Sequence, residues 1–331
     1  MKFIFSFCAI IFVCQTLNAQ HNTPYKIVNA FHIASSGWWD YLVVNGDKLY
    51  ISHGTQVNIL DKNTGDSLGV ITGTTGVHGI AFDDALDKGY TSNGRLNNAF
   101  VFDIYTSKVL ESIGTGKNPD AIMYEPYTKK IITCNGGSND LTVIDPETNK
   151  VVATIPVGGK PETAVSNSEG QLFVNIEDKN EIAVVDLKSM KMTNTWSLDG
   201  GEEPTGLAYD SETKRLFAGC DKLLVVLDAA SGKIVDKIII GEGCDGVAFD
   251  STTKTIFTAN GEDGNMTVIK EKSANKFMVT ENVVTKIGAR TITIDEATHT
   301  LYLPAADFEA NTPQGQRPSM IPGSFQVIVI R

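Results

Sequence analysis

Apolar residues in this chain fall in short runs separated by polar turns, and the runs recur in sets of four. Six segments open a set in the same way. They are His78–Asp83, Asp120–Glu125, Glu162–Asn167, Thr205–Asp210, Asp245–Asp250 and Arg290–Asp295, each with apolar residues at its third and fifth places or close to them. Their first positions are 42, 42, 43, 40 and 45 residues apart, and Asp40–Asn45 is a looser copy 38 residues before His78. After each opening come a polar turn, a second run such as Tyr90-Thr91-Ser92-Asn93, a third run ending in Asp (Asp103, Asp145, Asp186, Asp228), and a fourth that ends at Gly. The runs are rich in β-branched and aromatic residues and bounded by Gly, Asn, Asp and Pro, so they predict strands. No window of helical length keeps a 3.6-residue period.

Four strands per repeat of about forty residues predict one propeller blade per repeat. First strands near positions 40, 78, 120, 162, 205, 245 and 290 predict seven blades of four antiparallel strands, an all-β fold spanning residues 20–331. The last blade ends at Phe325–Ile330, which reads as a third strand, while Tyr25–Ile33 has no blade of its own. Pairing the two closes the ring and leaves no open sheet edge. The Asp that closes each third strand is expected to accept backbone N–H bonds and pin the following turn.

The chain's beginning follows a different pattern. Lys2, the apolar run Phe3–Val13 and Leu17-Asn18-Ala19 have the layout of a secretory signal peptide over residues 1–19, cut ahead of Gln20. The expected location is the periplasm or the cell exterior. Nothing after the leader is long and apolar enough to span a membrane. The charge, 28 Lys+Arg against 39 Asp+Glu, is −11, and loss of Lys2 makes it −12. That balance argues against nucleic acid and anionic lipid as partners. Cys134, Cys220 and Cys244 survive removal of the leader, too few for a disulfide scaffold. Cys220 and Cys244 fall at strand ends on adjacent blades, so the sequence admits either one bridge between them or two buried free thiols.

The second runs Tyr90-Thr91-Ser92-Asn93, Ile132-Thr133-Cys134-Asn135 and Phe257-Thr258-Ala259-Asn260 resemble the motif of the YVTN-repeat propellers, as do the links Val157-Gly158-Gly159-Lys160-Pro161 and Gly116-Lys117-Asn118-Pro119. The resemblance covers the whole chain after the leader and is closest to the YncE-like branch. The copies do not repeat the Gly-His and Trp-Asp marks of WD40 repeats. The resemblance implies an exported, monomeric binding or scaffold protein. Some similar proteins bind single-stranded DNA, but here no basic stripe interleaved with aromatics accompanies the acidic charge.

Propellers bind ligands where the inner strands begin and loops converge on the central channel. The repeat register places Asp40, His78, Asp120, Glu162, Thr205, Asp245 and Arg290 on one ring, and His53, Asn93, Asn135 and Asn260 at the ends of second strands. Together with Trp38 and Trp39, whose rings suit stacking on a sugar or another flat ligand, these are the candidate ligand-binding residues. In a strand the two Trp side chains point to opposite faces, so one of them suits the core.

Four carboxylates on one ring repel one another unless neutralised. Arg290 is one candidate for that role. A divalent cation is another: carboxylate and Asn oxygens suit Ca²⁺ or Mg²⁺, while His78 and His53 favour a transition metal. A water-filled polar mouth is the third. The sequence favours a binding or scaffold protein, holding a small molecule or protein at the channel mouth, over a hydrolase or lyase acting on a sugar-like or lactone substrate. For the enzyme the candidate catalytic residues are His78, Arg290 and Glu162. An enzyme is expected to bring His78, Arg290 and several carboxylates within hydrogen-bond reach, a scaffold to keep them apart. The Pro-rich insert Asp307–Gly323 either covers one mouth of the channel or runs passively over the surface.

Overall fold

In the computed structural model, which describes residues 25–309 and 319–331, the chain forms seven four-stranded antiparallel sheets. The leader therefore lies outside the described residues, as does the middle of the 307–323 insert. The seven first strands are Trp39–Asn45, Val77–Asp83, Pro119–Glu125, Pro161–Ser166, Leu207–Asp210, Cys244–Asp250 and Thr293–Asp295. Each contacts the first strand of a neighbouring blade, which makes them the innermost strands of a ring.

Closure of the ring is as the unpaired N-terminal run implied. The last sheet runs Thr293–Asp295, Thr300–Ala305, Gln326–Ile330, Ile27–His32 in order, so the N-terminal strand is the outer strand of the seventh blade. Ala30 faces Ile328 and Phe31 faces Val327. Lys26 and Arg331 exchange backbone hydrogen bonds of 2.9 and 3.1 Å. Both chain ends are thereby held in one ladder.

The second strands form the core between blades. Tyr50, Tyr90, Phe173, Phe217, Phe257 and Tyr302 hold equivalent places and are all but fully buried. A fully buried aromatic of this size stabilises by about 1.5–3 kcal/mol. Because each blade packs on its neighbours through both faces, these strands are buried almost throughout and do not alternate. The turns after the third strands are pinned as expected. Asp103 Oδ1 accepts from the Tyr105 and Thr106 amides at 3.1 and 2.6 Å, and Asp228 Oδ1 from Ala230 and Ser231 at 3.2 and 3.0 Å. Among the described residues no helix is long and apolar enough to cross a membrane.

One feature of the ladders matters for the site. In five blades the pairing of first and second strands slips just after the first paired residue: between Trp39 and Leu42, Val77 and Ile80, Pro119 and Ile122, Pro161 and Ala164, and Cys244 and Gly246. Such a bulge frees a residue from the ladder and re-aims its side chain. Asp40, His78, Asp120, Glu162 and Asp245 sit in these five slips. In the fifth and seventh blades the first strand starts late, at Leu207 and Thr293, so Thr205 and Arg290 precede it.

Candidate functional site

All seven ring positions meet at one mouth, five of them aimed there by the bulges. Asp40, His78, Asp120, Glu162, Thr205, Asp245 and Arg290 line a single cavity of 790 Å³. A second hollow of 600 Å³ adjoins it, sharing Trp38, Thr205, Asp245 and Arg290 and adding Glu203, Asp221 and Glu262.

No family model matches this sequence, and no curated protein does. Its fold is found among solved structures. Hydrazine synthase of Kuenenia stuttgartiensis superposes with a TM-score of 0.68 at 16% identity, over 87% of this chain and 95% of that one. The WD40 repeats of RRP9 superpose with a TM-score of 0.78 at 10% identity, over 92% and 97%. The chain thus has the architecture of a WD40 propeller without the residues that mark the repeat. At these identities the likeness establishes the fold alone.

Within the mouth, charged groups form a chain across five neighbouring blades. Arg290 Nε donates to Asp245 Oδ2 at 2.6 Å. Its Nη2 donates to the Trp39 carbonyl at 3.0 Å and lies 3.5 Å from Asp40 Oδ1. The other oxygen of Asp40 accepts from His78 Nδ1 at 2.5 Å, and the same nitrogen is 3.7 Å from Asp120 Oδ1. Burial works against the imidazolium of His78, but the hydrogen bond to Asp40 and the charge of Asp120 outweigh it and raise the pKa above 6.5. Burial first, then the nearby Asp40, pushes the Asp120 carboxyl up to about 7. Burial also raises Asp245, against the pull of Arg290.

The fourth blade has its own group. Lys160 Nζ lies 2.6 Å from Glu162 Oε1 and also bonds Glu177. Burial and the charge of Asp120 push Glu162 up, while Glu177, more open, is held low. Glu162 is therefore bound to Lys160 and not to His78, which separates it from the other two candidate catalytic residues. Lys160 and Glu177 were not singled out by the ring register. Lys160 lies in the inter-blade link Gly159-Lys160-Pro161, and Glu177 follows the second strand, so neither occupies a ring position.

The two tryptophans part company. Trp38 is 43% exposed, lines the cavity and stacks on Phe308 with ring centroids 6.1 Å apart. Trp39 is 2% exposed and stacks on Phe325 in the core, so it offers the mouth its carbonyl and no ring face. Phe308 belongs to the described start of the insert and bridges to Met320, which places the insert's base at the edge of the mouth.

The second-strand candidates do not reach the cavity. Trp39 pairs with His53, Val77 with Asn93, Pro119 with Asn135 and Cys244 with Asn260, so these residues share the mouth's end of each blade, one strand further out. All four are buried. His53 bonds Ser35 Oγ at 2.6 Å and the Gly37 carbonyl at 2.7 Å and stacks on Phe325. Asn135 Nδ2 donates to Asp140 and Thr142 at 2.7 and 2.8 Å, and Asn260 Nδ2 to Asn265 and Thr267 at 2.7 and 3.0 Å. Asn93 Nδ2 donates to Asn98 at 2.9 Å. The three asparagines tie the second strand to the third within their own blades, and His53 ties the first blade's second strand to the segment before its first strand.

Cys220 and Cys244 are not bridged. Both thiols are free and buried, as is that of Cys134.

Proposed function

We propose that the protein binds a small, polar, hydroxyl-bearing molecule in the channel mouth. The observation that carries this reading is the convergence of seven non-equivalent side chains, one from each blade, on one 790 Å³ cavity. A fold needs equivalent residues at equivalent places; here the seven ring places carry Asp, His, Asp, Glu, Thr, Asp and Arg. Alternating carboxylates and cations present both acceptors and donors to ligand hydroxyls, and Trp38 supplies an aromatic wall on which a sugar ring stacks. The leader-like N-terminus supports placing this activity in the periplasm or outside the cell, and the repeat motifs support a place among YVTN-repeat, YncE-like propellers.

A second reading, acid–base chemistry on a sugar-like or lactone substrate, is favoured by one observation. His78, Asp40, Arg290 and Asp245 lie within hydrogen-bond reach, the arrangement expected of an enzyme.

The test is a thermal-shift screen of neutral sugars, sugar acids and lactones, with product analysis of every hit. A binder raises the melting temperature of the wild type and not of Asp245→Asn or Trp38→Ala, and is recovered unchanged. Turnover that disappears in His78→Ala establishes the enzyme instead. A panel with neither shift nor product would overturn both readings.

A further inference from the structure

We propose that Asp40, His78 and Asp120 form a three-ligand site for a divalent transition-metal ion at the rim of the mouth. Their donor atoms, one nitrogen and two carboxylate oxygens, lie within 4.8 Å of one another. The His78 Nδ1 atom is 2.5 Å from Asp40 Oδ2 and 3.7 Å from Asp120 Oδ1. Neighbouring ligand atoms on an ion with bonds of about 2.1 Å sit about 3 Å apart, so the trio needs only a small opening to accept one.

Asp120 points to a cation independently of that spacing. Its side chain is only 14% exposed and accepts no hydrogen bond from any described residue; His78, at 3.7 Å, is its one cationic neighbour within 4 Å. A carboxylate so poorly served by the protein, and open to the cavity, leaves its oxygens available to a cation. Arg290 does not fill the role, because its guanidinium is committed to Asp245 and the Trp39 carbonyl and reaches only Asp40.

The three residues are also held in place from behind. Thr291 Oγ1 donates to the Asp40 carbonyl at 2.8 Å, and Ser92 Oγ donates to the Asp120 carbonyl. The His78 ring lies against Gly94, where a Cβ would come 2.7 Å from Nε2, so any larger residue would displace the imidazole. Support of this kind around donor residues is typical of metal sites. The donor set selects among ions: Ca²⁺ takes six to eight oxygens and Mg²⁺ is poorly served by nitrogen, whereas an imidazole with two carboxylates suits Mn²⁺, Fe²⁺ or Zn²⁺. Three ligands from the protein leave positions facing the cavity.

The site shares three ring residues with the ligand reading, but it is tested without any organic ligand, so failure of one leaves the other intact. Metal-stripped protein lacking the leader is titrated with Zn²⁺ and with Mn²⁺ by calorimetry. One saturable equivalent is expected, weakened about tenfold or more in Asp120→Asn and in His78→Gln. Glu262→Gln, at the outer hollow, should bind as the wild type does. The Mn²⁺ complex of the unaltered protein should show a nitrogen coupling by pulsed electron paramagnetic resonance, a readout that needs no variant to fold. Binding that never saturates, binding unchanged in both ligand variants, or a bound Mn²⁺ without nitrogen coupling would overturn the proposal.

Discussion

The phenol oxygen of Tyr41, in the first blade, lies 3.3 Å from Thr163 Oγ1, in the fourth, on the opposite side of the channel. Tyr41 lines the polar cavity and also a separate apolar hollow of 170 Å³ further along the inner strands, walled by Leu42, Ile80, Ile122 and Met123. The contact lies between the cup of the mouth and the apolar hollow, since Tyr41 lines both. Tyr41→Phe should cost about 1 kcal/mol, the worth of one hydrogen bond. Tyr41→Ala should cost about 3 kcal/mol and join the cup to the hollow below. Denaturant unfolding of both variants checks this. Equal costs would show that the ring fills no gap between the two spaces.

Away from the mouth, Glu271 makes stability depend on pH. It is 5% exposed, takes one hydrogen bond from Thr213 Oγ1 at 2.8 Å, and has one oxygen with no partner. Burial is the main cause that pushes its carboxyl up to about 7, with nearby Asp210 adding to it. The folded chain therefore holds this proton more tightly than the unfolded chain, whose carboxyl titrates at 4.5. Between those values the unfolded state has lost the proton while the folded state keeps it, so the contribution of Glu271 to stability falls as pH rises from about 4.5 to 7. Glu271→Gln keeps the shape and removes the titration. Relative to the wild type it should gain on the order of 2 kcal/mol between about pH 5 and 8. Parallel melting curves across that range would refute the assignment.

Ring closure can be tested by cutting it. Removing residues 21–36 takes away the outer strand of the seventh blade and leaves Gln326–Ile330 as an open edge. Cooperative unfolding should be lost, because blades then fray from that edge. A truncated protein that melts as the full chain does would disprove closure by the N-terminal strand.

Much of this architecture can be read from the repeat, and so can the ring of positions at the mouth. Asp40, His78, Asp120 and Asp245 are visible in the sequence because each opens its copy of the repeat. The slips that aim them are not visible, since a bulge adds no distinctive residue: Asp40 and Tyr41 read as two ordinary strand positions. Strand ends mislead for a different reason. Asn93, Asn135 and Asn260 share the mouth's end of their blades, but every face of a second strand is covered by another blade, so an amide there serves the blade. Partnership is the third hidden quantity. Nothing in the repeat links Lys160 to Glu177, which lies seventeen residues on and meets it only because the first and second strands pair.

The three thiols of Cys134, Cys220 and Cys244 give a last test. Cys220 and Cys244 lie on adjacent blades and are 0% and 4% exposed. Each thiol faces a carbonyl of its own strand: Cys220 Sγ is 3.7 Å from the Ala218 oxygen and Cys244 Sγ 3.7 Å from that of Gly246. Burial pushes the Cys220 thiol up to about 12 and raises Cys244 and Cys134 as well. Because the thiolate is the reactive form, these groups should neither pair nor react while the blades are closed. In protein lacking residues 1–19, and so Cys8 and Cys14, an aromatic disulfide reagent at about pH 8 should find no thiol when folded and three when unfolded without reductant. Fewer than three in the unfolded chain would mean that a bridge forms.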